Sequence, residues 1–140
     1  MIIRQLLKSD YKEYLELIRE FRPITINVSE HTFNEIYDSI FKNDIIFVAI
    51  KDGKLVGSIT CLIEQKFIHN LSKYIHIEDF IVSSNYRGMG IGKKLLDFIK
   101  KYSSVIKVYK IILDCDEDLL KFYEKNNFKC KGEKKMEYKL

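Results

Sequence analysis

The stretch from Arg87 to Lys94, RGMGIGKK, constrains the fold of this chain more than any other segment. Three of the chain's six glycines alternate there, between an apolar run at 74–82 (YIHIEDFIV) and apolar residues at helical spacing. Those residues are Ile91, Leu95, Phe98, Ile99 and Tyr102. The order predicts a strand, a glycine-rich turn and the start of a helix. The unpaired N–H groups and partial positive charge of a helix N-terminus favour a bound anion, and glycine lets the anion come close.

The other periodicities predict an α/β domain with a mixed sheet, in the order β-α-α-β-β-β-α-β-α-β-β. Asp52-Gly53 predicts a hairpin, and Ser9 and Ser29 are the expected N-caps of the first two helices. The expected strands cover residues 2–7, 45–50, 54–66, 74–82, 108–113, 128–132 and 134–139. The expected helices cover residues 9–21, 29–41, 91–102 and 119–126.

Length and composition narrow the class of protein. The chain has 140 residues, of which 46% are hydrophobic, and this suits one domain over residues 1–140. No stretch of about 18 apolar residues is available to span a membrane. Three cysteines without a C-x-x-C spacing predict reduced thiols, a cytoplasmic location and no metal site. The net charge of +4 is mixed along the chain, which favours an anionic small molecule over a nucleic acid.

The spacing of the glycines distinguishes between the known types of phosphate-binding loop. A P-loop requires G-x-x-x-x-G-K-[ST], whereas Gly88 to Gly92 is one residue shorter and Lys94 replaces the hydroxyl. A Rossmann turn requires G-x-G-x-x-G, whose third glycine would come later. The pattern [RQ]-x-x-G-x-[GA] fits from Arg87, and it resembles the pyrophosphate loop of GNAT acetyltransferases. A glycine-rich turn without a ligand is the alternative.

The resemblance extends over residues 60–140. Five segments are similar to one branch of the superfamily, the glucosamine-6-phosphate N-acetyltransferase family: LIEQKFIH (62–69), IEDFIV (77–82), YRGMGIGKKLL (86–96), YKIILDCDE (109–117) and KFYEKNNF (121–128). The resemblance implies a GNAT fold with a mostly antiparallel sheet and about four flanking helices. It implies acetyl transfer from acetyl-CoA to the amine of glucosamine 6-phosphate by direct attack, without a metal or covalent intermediate, in a homodimer.

The same resemblance assigns residues to the two substrates. The expected acetyl-CoA contacts are Phe80, Ile81, Val82, Arg87, Gly88, Met89, Gly90, Ile91, Gly92 and Lys93, with strand 77–82 parting from its neighbour. The expected sugar-phosphate contacts are Lys66, Phe67, Ile68, His69, Glu78, Asp79, Tyr109, Lys110, Asp114 and, across the dimer, Lys139. The expected catalytic residues are Tyr123, facing the CoA sulfur, together with Asp114, Glu78 and Asp79. Lys139 stands where the family often has arginine, and Leu119 where it often has asparagine.

Several of these residues also have ordinary structural explanations. Tyr123 is otherwise a core aromatic of the last helix, and Asp114 an N-cap. Glu78 and Asp79 are neighbours on a strand, so only one faces a ligand unless a bulge reorients them. His69 and His76 are candidate bases or structural histidines, and Cys115 is expected to be a small buried residue.

Three other functions remain open at this point. A GNAT enzyme for another amine, such as a polyamine or a protein, predicts an acidic acceptor groove. A non-enzymatic CoA-binding module predicts binding without turnover. A nucleic-acid-binding domain predicts an affinity that falls steeply with salt.

Overall fold

A five-stranded sheet forms the centre of the computed structural model, which describes residues 1–140. Its strands are β1 (Ile2–Gln5), β2 (Ile45–Lys51), β3 (Lys54–Gln65), β4 (Lys73–Val82) and β5 (Lys110–Ile112). They lie in chain order, and each neighbouring pair is antiparallel except β4 and β5, which run parallel. The structure therefore confirms the predicted α/β class with a mixed, mostly antiparallel sheet.

Five helices accompany the sheet: α1 (Tyr11–Phe21), α2 (Glu30–Ile40), α3 (Ile68–Leu71), α4 (Ile91–Val105) and α5 (Leu120–Lys125). The helix beyond the expected four is α3, a single turn in which His69 and Asn70 have left-handed dihedral angles. None of the five combines the length and the apolar character that a bilayer-spanning helix needs.

The two faces of the sheet each carry a core. Helix α4 buries Leu95, Leu96 and Ile99 against one face, together with Tyr123 of α5. Helices α1 and α2 cover the other face, where Leu17 and Phe33 are buried. Burying one such aliphatic side chain contributes about 1.5–3 kcal/mol. Both cores therefore fix the position of the central strands β3 and β4, and β4 carries part of the candidate site.

Two local predictions from the sequence were confirmed, the Ser29 N-cap and the Asp52-Gly53 hairpin, and one was wrong, the Ser9 N-cap. The Ser29 hydroxyl accepts a hydrogen bond from the Thr32 N–H at 3.1 Å, as expected for an N-cap. Asp52 and Gly53 have φ angles of 51° and 75°, as expected for a tight hairpin. Ser9 does not cap α1, because it lies inside a 3₁₀ turn, Lys8–Asp10, that precedes the helix.

The two expected terminal strands, 128–132 and 134–139, are wrong for the single chain. Residues 126–140 form no strand or helix, and Met136 and Tyr138 are 91% and 90% exposed. A strand requires a partner for its backbone groups, and no other strand of the chain pairs with this segment. The tail therefore extends from α5 along the mouth of the cleft described below.

Two features of β4 shape the site. Pairing between β4 and β5 ends at His76 and Ile112, while β4 continues to Val82, so the second half of β4 has no strand partner on that side. The register between β3 and β4 shifts near Asp79, whose φ angle is 43°. This shift is the bulge that the sequence left open.

Candidate active site

A cleft of about 1310 Å³ opens where β4 and β5 part. The expected site residues that line it are Glu78, Asp79, Phe80, Tyr109, Lys110, Asp114 and Tyr123. They come from β4, from β5 and the segment after it, and from α5. The sheet thus brings together most of the residues proposed for acceptor binding and catalysis, although they are scattered over 46 positions from Glu78 to Tyr123.

The glycine corner lies beside this cleft, at the start of α4. Gly88 and Gly90 have φ angles of 78° and 77°, and a Cβ at either position would meet no atom within 4 Å. The N–H groups from Arg87 to Lys93 donate no hydrogen bond to other backbone groups, and the first such bond after the corner runs from the Lys94 N–H to the Gly90 carbonyl. The corner therefore presents open, unpaired backbone donors, as an anion cradle requires.

The corner and the cleft meet at Gly92. A Cβ there would lie 3.2 Å from the ring of Phe122 and 3.6 Å from the ring of Phe80. Phe80 lines the cleft, and its backbone belongs to the unpaired half of β4. Glycine at this position therefore lets the first turn of α4 pack against the edge of the cleft.

The basic side chains of the corner already have partners in the protein. Arg87 donates from Nε to the Val82 carbonyl at 3.2 Å. Lys93 Nζ lies 2.5 Å from Asp97 Oδ2, and this hydrogen bond holds the pKa of Asp97 below its usual value. Consequently the positive potential of the corner comes from its backbone and from Arg87 more than from Lys93.

A carboxylate from α1 anchors the segment that leads into the corner. Glu20 accepts hydrogen bonds from the Ser83 hydroxyl at 2.9 Å and from the Ser84 N–H at 3.0 Å. The bond from the Ser84 N–H, followed by the Ser83 hydroxyl, keeps the pKa of Glu20 below its usual value despite slight desolvation. The 3₁₀ turn Ser84–Tyr86, which connects β4 to the corner, is thereby tied to α1.

Tyr123 is buried at the edge of the cleft, among the rings of Phe80, Phe122 and Phe128. Burial raises its pKa to about 12, so the phenol keeps its hydrogen at neutral pH. The hydroxyl of another tyrosine, Tyr37, donates to the Leu6 carbonyl at 2.9 Å. The Tyr123 hydroxyl has no such partner in the chain and is available to a ligand.

Three carboxylates and one histidine form the polar floor of the cleft. The bulge leaves both Glu78 and Asp79 exposed, although they are sequence neighbours. His76 Nε2 lies 3.3 Å from Glu78 Oε1 and 3.7 Å from Asp114 Oδ2. The ligand atoms of His76, Glu78 and Asp114 lie within 4.8 Å of one another, so these are the residues that could hold a metal ion.

A stack of aromatic rings flanked by two lysines lies next to this floor. His69 stacks on Tyr109 with ring centroids 4.1 Å apart, and Tyr109 in turn lies 5.8 Å from Tyr74. Lys66 Nζ and Lys110 Nζ approach the Tyr74 ring to 5.2 and 4.9 Å. The arrangement offers two cations beside flat apolar surfaces, which suits a sugar phosphate.

Five expected acceptor contacts do not line the cleft, namely Lys66, Phe67, Ile68, His69 and Lys139. Phe67 and Ile68 are 91% and 60% exposed. Lys139 is in the exposed tail, which lines the cleft only as far as Lys135.

Cys115 was expected to be buried, and this was wrong. It follows β5 on an exposed segment, and its pKa is nevertheless raised by partial desolvation and by neighbouring Cys130, Asp116 and Asp114. Because a raised pKa disfavours the thiolate, the environment does not activate Cys115 as a nucleophile.

Comparison with known proteins agrees with this geometry. The model of the acetyltransferase (GNAT) family matches residues 7–128. The chain belongs to the GNAT acetyltransferase family. Within it, the chain is 36% identical over 127 residues to glucosamine 6-phosphate N-acetyltransferase 1 of Dictyostelium discoideum, covering 87% of this chain and 78% of the relative.

Solved structures place this GNAT chain in the same branch. The glucosamine-6-phosphate N-acetyltransferase of Arabidopsis thaliana superposes with a TM-score of 0.89 at 31% identity, covering 98% of this chain and 97% of that one. An acetyltransferase of Trypanosoma brucei superposes with a TM-score of 0.93 at 32% identity, covering 99% of both chains. The match confirms the predicted fold, and this GNAT chain is accordingly an acyltransferase.

Sequence reasoning missed two parts of the GNAT site. Glu64 lies 3.4 Å from His76 Nδ1, and Glu20 anchors the entry to the glycine corner. The register pairs Glu64 with Tyr74 and Leu62 with His76, so alternation along β3 and β4 places Glu64 and His76 on one face. Because this contact depends on the register between the strands, Glu64 could not be identified from local pattern, and nothing in the sequence around Glu20 marks its role.

Proposed function

We propose that the protein transfers the acetyl group of acetyl-CoA to the amine of D-glucosamine 6-phosphate, giving N-acetylglucosamine 6-phosphate. The observation that carries this proposal is the convergence of three features at one cleft. These are the unpaired half of β4, the protonated Tyr123 phenol, and the carboxylates of Glu78, Asp79 and Asp114. The names of the relatives support the acceptor, an amino sugar phosphate.

The co-substrate half of the site is made largely of backbone. The residues of the corner fit a diphosphate, because their N–H groups have no backbone partner and Gly88 and Gly90 leave open space. Residues Gly88 to Lys93 hold the CoA diphosphate, with Arg87 adding charge. The free edge at Phe80, Ile81 and Val82 offers backbone groups to the amides of the pantetheine arm, as an additional strand would. Bound there, acetyl-CoA supplies an activated acyl group as a thioester.

The acceptor half of the site is made of side chains. Lys66 and Lys110 bind the sugar phosphate, and Lys139 of a second copy adds to them. The rings of His69 and Tyr109, with the adjoining residues Phe67 and Ile68, flank the sugar. The carboxylates of Glu78, Asp79 and Asp114 accept hydrogen bonds from the sugar and from its ammonium group. They hold the nitrogen close to the thioester carbon, and such proximity accounts for a large part of the rate acceleration.

The chemical step needs one acid and no covalent enzyme intermediate. The ammonium group first loses a proton to solvent, and the amine nitrogen then forms a bond to the thioester carbonyl carbon. The carbon–sulfur bond breaks as Tyr123 donates its phenolic hydrogen to the departing thiolate. The new amide nitrogen gives up its second proton, which restores the phenol of Tyr123. Its raised pKa suits the donor role, because the hydroxyl is protonated throughout the neutral range.

The proposed setting of the enzyme rests on the family resemblance and on the chain's composition. Residues 1–140 act as a single GNAT domain in the cytoplasm and form a homodimer, without nucleic acid or metal. The tail supports the dimer, because Met136, Tyr138 and Leu140 alternate with polar residues in a strand-like pattern and are exposed in the single chain.

Turnover measurements test the proposal. The purified enzyme is incubated with acetyl-CoA and a panel of amines, namely glucosamine 6-phosphate, glucosamine, spermidine and a lysine peptide. Loss of thioester absorbance is the better readout, because Cys115 and Cys130 are exposed thiols that would react with a thiol reagent. We expect glucosamine 6-phosphate to be the best acceptor, with activity unchanged by a chelator. Acetylation of the peptide or spermidine without the amino sugar phosphate would refute the proposal.

A further inference from the structure

A chain of charged groups leads from Lys66, outside the cleft, to the carboxylates on the floor of the cleft. Lys66 Nζ lies 2.8 Å from Glu64 Oε2, and Glu64 Oε1 lies 3.4 Å from His76 Nδ1. His76 Nε2 continues the chain to Glu78 at 3.3 Å and to Asp114 at 3.7 Å. The groups at the two ends are those that we assign to the phosphate and to the amine of the acceptor. His76 connects them and is itself only 22% exposed.

The imidazole can donate a hydrogen bond on only one of its two sides at a time. A neutral imidazole carries a single N–H, so it donates either from Nδ1 to Glu64 or from Nε2 to Glu78, because Asp114 at 3.7 Å lies beyond hydrogen-bond distance. The hydrogen bond on one nitrogen decides which tautomer is present. In the structure Lys66 Nζ lies 2.8 Å from Glu64 Oε2, and this hydrogen bond holds the pKa of Glu64 below its usual value, while Glu64 Oε1 faces His76. The ammonium group offsets the charge of Glu64 and makes it a weaker acceptor than Glu78, which has no lysine partner, so the imidazole N–H turns toward Glu78.

We propose that His76 is a positioning residue that couples phosphate binding at Lys66 to the availability of the Glu78 carboxylate for the amine. A phosphate on Lys66 competes with Glu64 for the ammonium group. The released Glu64 carboxylate takes the imidazole N–H on Nδ1, and Nε2 no longer donates to Glu78. The lone pairs of Glu78 become available to the substrate ammonium group, and no proton is gained or lost by the protein.

This coupling rests on the proposed function and adds a source of specificity to it. A phosphate that only added affinity would improve the acceptor through its own contacts. A phosphate that also frees the amine-binding Glu78 improves the acceptor at the other end of the chain of charged groups. Amino sugars without a phosphate would meet a Glu78 carboxylate already paired with His76.

A substrate–variant cycle tests the coupling. The ratio of kcat/KM for glucosamine 6-phosphate to that for glucosamine is measured in the wild type and in His76→Leu. We expect the ratio to fall by about fivefold or more in the variant, since two coupled sites lose their interaction. The KM for acetyl-CoA should stay within about twofold. A merely structural role would lower both acceptor rates by the same factor and leave the ratio unchanged.

Two further variants complete the design. His31→Leu is the matched control, because His31 makes a similar contact to Glu35, at 3.3 Å, on the exposed surface of α2. Glu64→Gln breaks the same chain at a partly exposed carboxylate and should also lower the ratio, even if His76→Leu does not fold. An unchanged ratio in Glu64→Gln overturns the coupling. Absence of wild-type turnover of glucosamine 6-phosphate would instead overturn the proposed function, so the two failures are distinguishable.

Discussion

The two halves of the cleft are built in different ways. The proposed acetyl-CoA half uses main-chain groups from one continuous segment, between Phe80 and Lys93, in which the key residues are glycines. The proposed acceptor half uses side chains from four separate places: the segment after β3, the middle of β4, strand β5 and the segment after β5. The first half is therefore sensitive to backbone conformation and the second to the charge of individual side chains.

The difference predicts that each class of substitution raises the KM of one substrate only. Substitutions that strain the backbone of the corner should weaken acetyl-CoA binding and spare the acceptor. Substitutions that remove a charge from the cleft should do the reverse. Tyr123, which lies between the halves, should affect neither KM strongly.

Tyr123→Phe should have the largest effect. We expect kcat to fall by about 10²-fold or more, the usual contribution of a general acid, with both KM values within about threefold of the wild type. The control is Tyr37→Phe, which loses a hydroxyl bonded to the Leu6 carbonyl and should alter stability but not kcat. Steady-state kinetics with glucosamine 6-phosphate would decide. A Tyr123→Phe enzyme with normal kcat would exclude proton donation by this phenol.

Gly90→Val should have the next largest effect. It should weaken only acetyl-CoA binding, which depends on backbone groups. A β-branched residue at a φ angle of 77° is strained by about 1–3 kcal/mol, which corresponds to roughly 5- to 150-fold in affinity. We expect the KM for acetyl-CoA to rise within that range while the acceptor KM is unchanged. Met89→Val is the matched control, because Met89 is the exposed neighbour and is not in the left-handed region. Equal losses in the two variants would contradict the assignment.

Lys66→Met should weaken only acceptor binding, which depends on side chains. A hydrogen bond to a charged group is worth about 1.5–3 kcal/mol, so the KM for glucosamine 6-phosphate should rise by roughly tenfold or more. The KM for acetyl-CoA should not change, whereas the rate with glucosamine should rise, because Glu64 without its lysine partner takes the imidazole N–H of His76. Lys54→Met, at the exposed start of β3, serves as the control. If the KM for acetyl-CoA rose more than the KM for glucosamine 6-phosphate, Lys66 would have to be assigned to acetyl-CoA binding instead.

Glu20→Gln should have the smallest effect, because Glu20 only anchors the turn that leads into the glycine corner. The pKa of Glu20 is lowered in the folded chain, so its stabilisation is present above the unfolded pKa of about 4.3 and is lost as pH falls through the folded pKa. At pH 7 the free energy of unfolding should drop by no more than about 1 kcal/mol. The difference from the wild type should vanish in acid. Thermal unfolding at pH 7 and pH 3 measures it, with Glu16→Gln of the same helix as control.

The contrast also explains how much the sequence could predict. The glycine corner, the Ser29 cap and the Asp52-Gly53 hairpin depend on a few consecutive residues, and all three are as expected. The network around His76 depends on the register of three strands and could not be found from local pattern. The terminal strands failed for a related reason. Alternation predicts what a segment can form, but a strand also needs a partner, which the single chain does not supply.

The extra residue in β4 has one more consequence. Ile75 and Ile77 face the core of α4, and a regular strand would place Ile81 on that same side. Ile81 instead packs into the core of α1 and α2, while Phe80 and Val82 pack toward α4. Asp79 thus shifts the phase of the strand by one position, so that odd-numbered residues change sides halfway along it. A relative that lacked this one residue would expose the opposite set of backbone groups at the parting of the strands, and an alignment that ignored the shift would exchange inside and outside for everything up to the glycine corner.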